Sequence, residues 1–231
     1  MFGDVVRLAK NHIDVGISTA QIDAQLAFWQ DEVGLRFEEL LPLGGGRRQH
    51  RHGVNGSVLK INESRGPLPD APLAGYRELL IARGGLSTTQ TMTDPDGNRV
   101  TLVPPGENDV TGIGMWLAVR DTAAFDDFYG RILGLEAPRE HAYRWGDSLV
   151  MFEQDSSAIA PASREGIGYR YVTVQVWDVD AEHAAFVALG ATEGMAPVTL
   201  GETARISFIR DPDGNWIEVS QRGTLTGALP H

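Results

Sequence analysis

The chain contains no cysteine. That excludes disulfides, thiolate zinc sites and a cysteine nucleophile, and it agrees with a cytoplasmic location as the default expectation. It has no apolar run near the ~18 residues that a bilayer span needs. Basic residues are in deficit: 20 Lys and Arg against 31 Asp and Glu give a formal net charge of −11. The average field therefore repels nucleic acid and anionic membranes, and neither is expected as a partner. The opening stretch MFGDVVRLAKNHIDVGIS lacks the basic region and continuous apolar segment of a signal peptide. No G-x-S-x-G or Walker sequence occurs. LGGGRR (43–48) is Gly-rich, but no helix is signalled after it, so a phosphate-binding loop is not expected.

What is present is a soluble-protein composition, 42% hydrophobic over 231 residues, enough for one large domain or two small ones. Repeats organise it. DPDGN occurs at 94–98 and again at 211–215. GYRELLIA (75–82) resembles GYRYVTVQ (168–175), and LAFWQDEVGL (26–35) resembles FDDFYGRILGL (125–135). The order is the same in both copies, so the chain reads as a duplication with halves at 1–107 and 108–231, joined at PPGENDVTG (104–112).

Each half divides again into two modules. In the last, YRYVTVQVWD (169–178) alternates with period two, as a strand does. VDAEHAAFVALG (179–190) has helical spacing, with Asp180 as the expected N-cap and Gly190 placed to end it. TARISFIR (203–210), the DPDGN turn and WIEVS (216–220) follow as a hairpin. Module 1 (about 9–63) repeats this order from the strand HIDVGIS, a helix at 21–33 and strands near 37–42, 47–52 and 57–62. Module 3 (about 112–154) does the same. Module 2 is abbreviated: GYR to DPDGN is far shorter at 75–98 than at 168–215, and the predicted loss is the helix.

Alternation sorts each strand into two faces. Ile13, Val15 and Ile17 form one face of the first strand, while His12, Asp14, Gly16 and Ser18 form the other. Lys60 and Asn62, with Gln49 and Arg51 across a hairpin, share the face opposite Leu59 and Ile61; His50 and His52 fall on the Leu59 side. In the last module Tyr171, Thr173 and Gln175 oppose Val172, Val174 and Val176, and Trp216, Glu218 and Ser220 oppose Ile217 and Val219. The outward set is polar, as either a solvated face or a binding cavity would be.

These modules resemble the vicinal oxygen chelate superfamily, which includes glyoxalase, bleomycin-resistance protein and extradiol dioxygenases. The carriers are FYGRILGL after a first strand and DPDGNWIE before a last one. The resemblance implies an α+β fold of about four tandem βαβββ modules, the second abbreviated, forming U-shaped mixed sheets around a cavity. It also implies a divalent metal (Zn, Fe, Mn or Ni) held by first-strand and last-strand residues. The ordinary metal ligands at such positions are His12, Glu78 and Glu218. Their grouping depends on which modules pair. Modules 1 and 4 would bring together His12, Glu218, Tyr171 and Lys60; modules 1 and 2, His12, Glu78, Lys60 and Thr101; modules 3 and 4, Glu218, Gly114 and Tyr171. The last set lacks the dioxygenase histidines, which disfavours extradiol cleavage.

The resemblance implies an enzyme or a binding protein, with a metal-free enzyme that uses His12 as base lying between the two. The first is a glyoxalase-like enzyme of isomerase, epimerase or lyase type, acting on a small oxygenated substrate by metal chelation and proton transfer. Glu218, His12 and Tyr171 are its candidate catalytic residues, and Lys60, Arg51, Gln175 and Trp216 its candidate substrate-binding residues. The second is a metal-free sequestering protein of the bleomycin-resistance type. Arg47, Arg48 and Arg51 cluster in an acidic chain, as binding of an anionic substrate group would require and as a solvated hairpin also allows. The expected partner is a small molecule, the expected state a monomer or homodimer.

Overall fold

Each DPDGN turn is closed by its own first aspartate. Asp94 Oδ1 accepts the N–H groups of Asp96 and Asn98 at 2.9 and 2.8 Å, and Asp211 Oδ1 those of Asp213 and Asn215 at 3.0 and 2.8 Å. Gly97 and Gly214 sit at φ 88° and 79°, where a side chain would strain the backbone. The turn thus needs Asp first and Gly fourth, which accounts for the repetition of those letters.

In a computed structural model of the chain, residues 6–158 and 163–230 are described; the first five residues of the stretch read above for a leader lie outside them. Module 1 comprises β1 (Asp14–Thr19), α1 (Ile22–Ala27) running on into a π-helical turn (Phe28–Glu32), β2 (Arg36–Gly44), β3 (Arg47–Val54) and β4 (Ser57–Glu63). Module 2 is β5 (Tyr76–Ala82), β6 (Gln90–Thr93) and β7 (Arg99–Val103), with no helix between β5 and β6. Module 3 is β8 (Ile113–Val119), α2 (Thr122–Asp126) with its own π-helical turn (Asp127–Ile132), β9 (Glu136–Arg139), β10 (Ala142–Trp145) and β11 (Ser148–Gln154). Module 4 is β12 (Gly168–Gln175), α3 (Val179–Ala188), β13 (Thr192–Leu200), β14 (Ala204–Arg210) and β15 (Trp216–Arg222).

Two details differ from the sequence reading. The N-cap of α3 is Asp178, whose side chain accepts the Ala181 N–H at 3.0 Å, rather than Asp180, which lies in the first turn. β13 had no counterpart there. Its Gly194 and Pro197 weaken the strand signal, but β13 is an edge strand with two bulges against β14, where proline is tolerated.

The modules pair crosswise. Modules 4 and 1 build an eight-stranded sheet, β13-β14-β15-β12-β1-β4-β3-β2, and modules 2 and 3 a seven-stranded one, β6-β7-β5-β8-β11-β10-β9. Antiparallel contact of first strands joins each pair, β1 with β12 (Asp14 opposite Thr173, Gly16 opposite Tyr171) and β5 with β8. The faces that bear Ile17, Leu59 and Val172 on one sheet and Leu79, Ile81 and Val100 on the other share one core with the helices, centred on Trp29, Phe125 and Tyr129. The aromatic helix residues are buried, as their spacing implied.

The repeated motifs interlock across the sheets. Gly75 donates its N–H to Asn215 Oδ1 at 2.6 Å, and the Tyr76 hydroxyl donates to the Trp216 carbonyl at 2.9 Å. In the second half Tyr169 donates its N–H to Asn98 Oδ1 at 3.3 Å and its hydroxyl to the Arg99 carbonyl at 2.9 Å. The GYR of each half therefore docks on the DPDGN turn of the other. Among the described residues no helix is long and apolar enough to cross a membrane.

Candidate functional site

The outward-facing residues of the eight-stranded sheet line a cavity of about 360 Å³. Its polar wall takes Ser18 from β1, Lys60 and Asn62 from β4, Gln49 and Arg51 from β3, Tyr171 and Gln175 from β12, and Glu218, Ser220 and Arg222 from β15. Its outer arms carry Leu41 and Leu43 of β2 and Met195, Val198, Ile206 and Phe208 of β13 and β14, together with the charged Arg47, Arg164 and Glu165, and the Arg164 guanidinium lies 4.3 Å from the Phe208 ring centroid. Alternation had already put the polar set on one face; the curl of the sheet makes that face concave.

At the floor Lys60 Nζ donates to Glu218 Oε2 at 2.8 Å and to Thr173 Oγ1 at 2.7 Å, while the Thr173 hydroxyl donates to the same Glu218 oxygen at 2.6 Å. Lys60 and Glu218 are both buried. Burial pushes the Glu218 carboxyl up, but the charge and hydrogen bonds of Lys60 and Thr173 outweigh it and hold the pKa below the ordinary value. Burial lowers the Lys60 ammonium, and Glu218 and Asp14 only partly oppose this. Asp14, also fully buried, accepts from Lys10 Nζ at 2.6 Å, the Val58 N–H at 2.9 Å and Gln175 Nε2 at 3.3 Å.

Tyr171 stands beside this pair. Its hydroxyl oxygen accepts from Asn62 Nδ2 at 3.2 Å and Gln49 Nε2 at 3.4 Å, and its ring centroid lies 5.5 Å from Lys60 Nζ. Burial and the nearby Glu218 raise the phenol, so it stays protonated. The ring lies over Gly16, where a Cβ would come within 2.3 Å of it. Trp216 is one layer back: it packs edge-on against Phe208 at 5.7 Å, and Phe208, not Trp216, lines the cavity.

Of the candidate site residues, the structure thus brings together Glu218, Lys60, Tyr171, Arg51 and Gln175. Besides Trp216, two stand elsewhere. His12 precedes β1, and the bend at residues 9–12 breaks the alternation that would have aimed it at Glu218. Its Nε2 lies against Gly56 and 3.7 Å from Asp147 Oδ2. Glu78 belongs to the other sheet, where it accepts the Thr101 hydroxyl and lies 3.5 Å from Arg99. His50 is held by Glu63 at 3.0 Å and His52 by Gln30 at 3.0 Å, away from Glu218. Asp14 and Thr173, named before only as members of the polar face, are central to the network, and Arg222 is a further cavity residue at the end of β15.

The implied metal is poorly matched to this donor set. Among the described residues no three His, Asp or Glu side chains converge as a metal site would require. Glu218 already has a fixed cation, the Lys60 ammonium, at 2.8 Å, and a divalent ion beside that charge would be repelled.

The concave face of the seven-stranded sheet is packed instead. Leu80, Val110, Leu149 and Met151 form an apolar cluster there, and a Cβ on Gly114 would lie 2.9 Å from both Met151 Cε and Val110 Cγ2. Thr101 stands on that sheet where Glu218 stands on the other, at the third position after the DPDGN turn.

A family model described as Glyoxalase/Bleomycin resistance protein/Dioxygenase superfamily matches residues 110–219. Glyoxalase I from Zea mays is similar in structure, with a TM-score of 0.71 at 15% identity over 93% of this chain and 92% of that one. So is a putative dioxygenase from Bacillus subtilis subsp. subtilis str. 168, with a TM-score of 0.66 at 13% identity over 94% of this chain and 86% of that one. No curated protein matches the sequence significantly. Residues 110–219 thus belong to the glyoxalase/bleomycin resistance protein/dioxygenase superfamily, and the whole chain has its fold.

Proposed function

We propose that the chain is a glyoxalase-like enzyme that moves a proton on a small oxygenated organic substrate, with the Lys60 ammonium at the position of the electrophile. The observation that supports it is the buried Lys60–Glu218 pair on the cavity floor. An ammonium has three N–H donors, and two of those on Lys60 go to Thr173 and Glu218. The third is free to polarise a substrate oxygen. Glu218 takes both its hydrogen bonds on Oε2, which leaves Oε1 to accept a proton from the neighbouring carbon. The Tyr171 oxygen accepts two hydrogen bonds, so its own proton remains to donate to a substrate oxygen.

The three groups work together. A carboxylate held at low pKa is a weak base. When Lys60 turns its charge toward a developing enolate oxygen, Glu218 loses that stabilisation and becomes more basic as the proton leaves carbon. The buried setting strengthens both effects. The reaction class is proton transfer α to a carbonyl, as in isomerases, epimerases and some lyases.

The test is loss of the α-proton signal by NMR in D₂O, with chelator-treated protein and a panel of 2-oxo and 2-hydroxy acids and their esters. Exchange should fall by about 100-fold or more in Glu218→Gln and strongly in Lys60→Met. Exchange that persists in Glu218→Gln would remove this reading. Binding of panel members with no exchange would turn it toward the sequestering alternative.

A further inference from the structure

Arg51 on β3 and Arg222 at the end of β15 approach each other from opposite arms of the sheet. Their side chains are 8% and 15% exposed. Between them is one carboxylate: Glu39 Oε2 lies 3.5 Å from Arg51 Nε and 3.6 Å from an Arg222 Nη. Both distances are too long for a proper hydrogen bond. Arg51 makes one side-chain bond, to Gln49 Oε1 at 2.9 Å, and the Arg222 guanidinium donates to none of the described residues. Glu39 is 44% exposed on β2 and so free to swing outward.

Two guanidiniums sharing one loosely placed acid leave most of their N–H donors unused in a nearly buried place, a costly arrangement unless an anion completes it. Burial and the charge of Arg222 both lower the Arg51 pKa, and Asp14, Glu39 and Glu218 only partly oppose this. Gln175 adds a second unfilled group there, because its buried Oε1 has no hydrogen-bond partner. Arg51, Gln175 and Arg222 line both the 360 Å³ cavity and a second, more polar one of about 490 Å³ on its other side. They stand at the boundary between a largely apolar compartment and a more polar one.

We propose that the cavity takes an organic acid with an apolar body, its acidic group between Arg51 and Arg222 and its body between Leu41 and Phe208. The proposal rests on the reading of this face as the substrate site, and it adds the substrate class. Glu39 then holds the place of the acid in the free protein and yields it on binding. An acid that also carries a hydroxyl can donate it to Gln175 Oε1.

The test is calorimetric titration of phenylacetate and octanoate, each against its own amide, and of inorganic phosphate. At least one acid should bind about ten-fold or more tightly than its amide. Arg222→Gln should bring that ratio close to one with an unchanged melting temperature. Glu39→Gln, which removes the competing carboxylate, should tighten the acid; a merely structural role for Glu39 would not do so, and this variant carries the test should Arg222→Gln fold poorly. Equal affinity for acid and amide, no binding of either acid at millimolar concentration, or loss of affinity in Glu39→Gln would overturn the proposal. Phosphate binding more tightly than both acids would overturn the apolar body. Acid binding without proton exchange would leave this inference standing while the proposed reaction fails, and exchange on neutral esters alone would do the reverse.

Discussion

Lys60 and Glu218 meet at 2.8 Å although their strands, β4 and β15, are separated in the sheet by β1 and β12. Neighbouring strands lie about 4.8 Å apart, so a flat sheet would hold the two Cα atoms well over 10 Å apart. The curl of the sheet shortens that span, and a lysine stem covers the rest. The Tyr171 ring fills the space over Gly16, opposite Lys60 on β1, and Lys60 Nζ ends 5.5 Å from its centroid; Thr173, opposite Glu218 on β12, is short enough to bond both partners. A salt bridge across module boundaries ties the two halves of the chain.

The pair should dominate the stability of the sheet floor. Lys60→Met strands a buried carboxylate and is expected to cost about 3–5 kcal/mol, whereas Lys60→Met with Glu218→Leu should recover most of that loss. Urea unfolding of both single variants and the double variant measures the coupling. Additive losses would mean that the two side chains do not interact in solution.

Acid should weaken the pair in a defined direction. The Glu218 carboxyl is held below its ordinary 4.5 by Lys60 and Thr173 against the opposing effect of burial. Its contribution is therefore fully present above about pH 4.5 and is lost as pH falls through the depressed folded value. The stability gap between wild type and Glu218→Gln should be constant near neutrality and narrow as pH falls below about 4.5. Taking the difference removes other titrations, including that of Asp211, whose buried carboxyl is pushed up to about 7. A gap that widened in acid would reverse the assigned direction.

The polar face was legible in the sequence because strand periodicity is local: Lys60, Arg51, Tyr171, Gln175 and Glu218 needed only their own alternation and the two turns. What was not legible depended on long-range contact. The crosswise pairing of modules decides whether Glu218 meets Lys60 or Gly114, and no single strand encodes it. His12 failed for a local reason, since the bend at residues 9–12 ends the period-two phase one residue before β1. Arg222 was missed because it closes β15 beyond WIEVS, and its neighbour Arg51 comes from another module. The twin DPDGN and GYR motifs, read as marks of duplication, turn out to be each other's docking surfaces.

Metal affinity should depend on Lys60. Wild-type protein dialysed against zinc or nickel is expected to retain no stoichiometric ion at Glu218, and chelator should leave its melting temperature unchanged. Lys60→Glu replaces the ammonium with a second carboxylate near Glu218 and Asp14, three acids that a divalent cation would relieve. That variant should gain a metal-dependent rise in melting temperature. Stoichiometric metal in wild type, lost in Glu218→Gln, would show that the ion displaces Lys60.

Gly16 gives the sharpest packing test. A Cβ there would lie 2.3 Å from the Tyr171 ring, far inside van der Waals contact, and the ring is itself pinned by Asn62 and Gln49. Gly16→Ala should therefore destabilise by about 1–3 kcal/mol and push Tyr171 off its partners. The counterpart Gly114→Ala meets Met151 Cε and Val110 Cγ2 at 2.9 Å. Of these Met151 is a flexible side chain end that can move, so the loss should be smaller. Combining Gly16→Ala with Tyr171→Ala should cost less than the sum of the single changes by about 1 kcal/mol or more. Full additivity would mean that the tyrosine ring does not rest on Gly16.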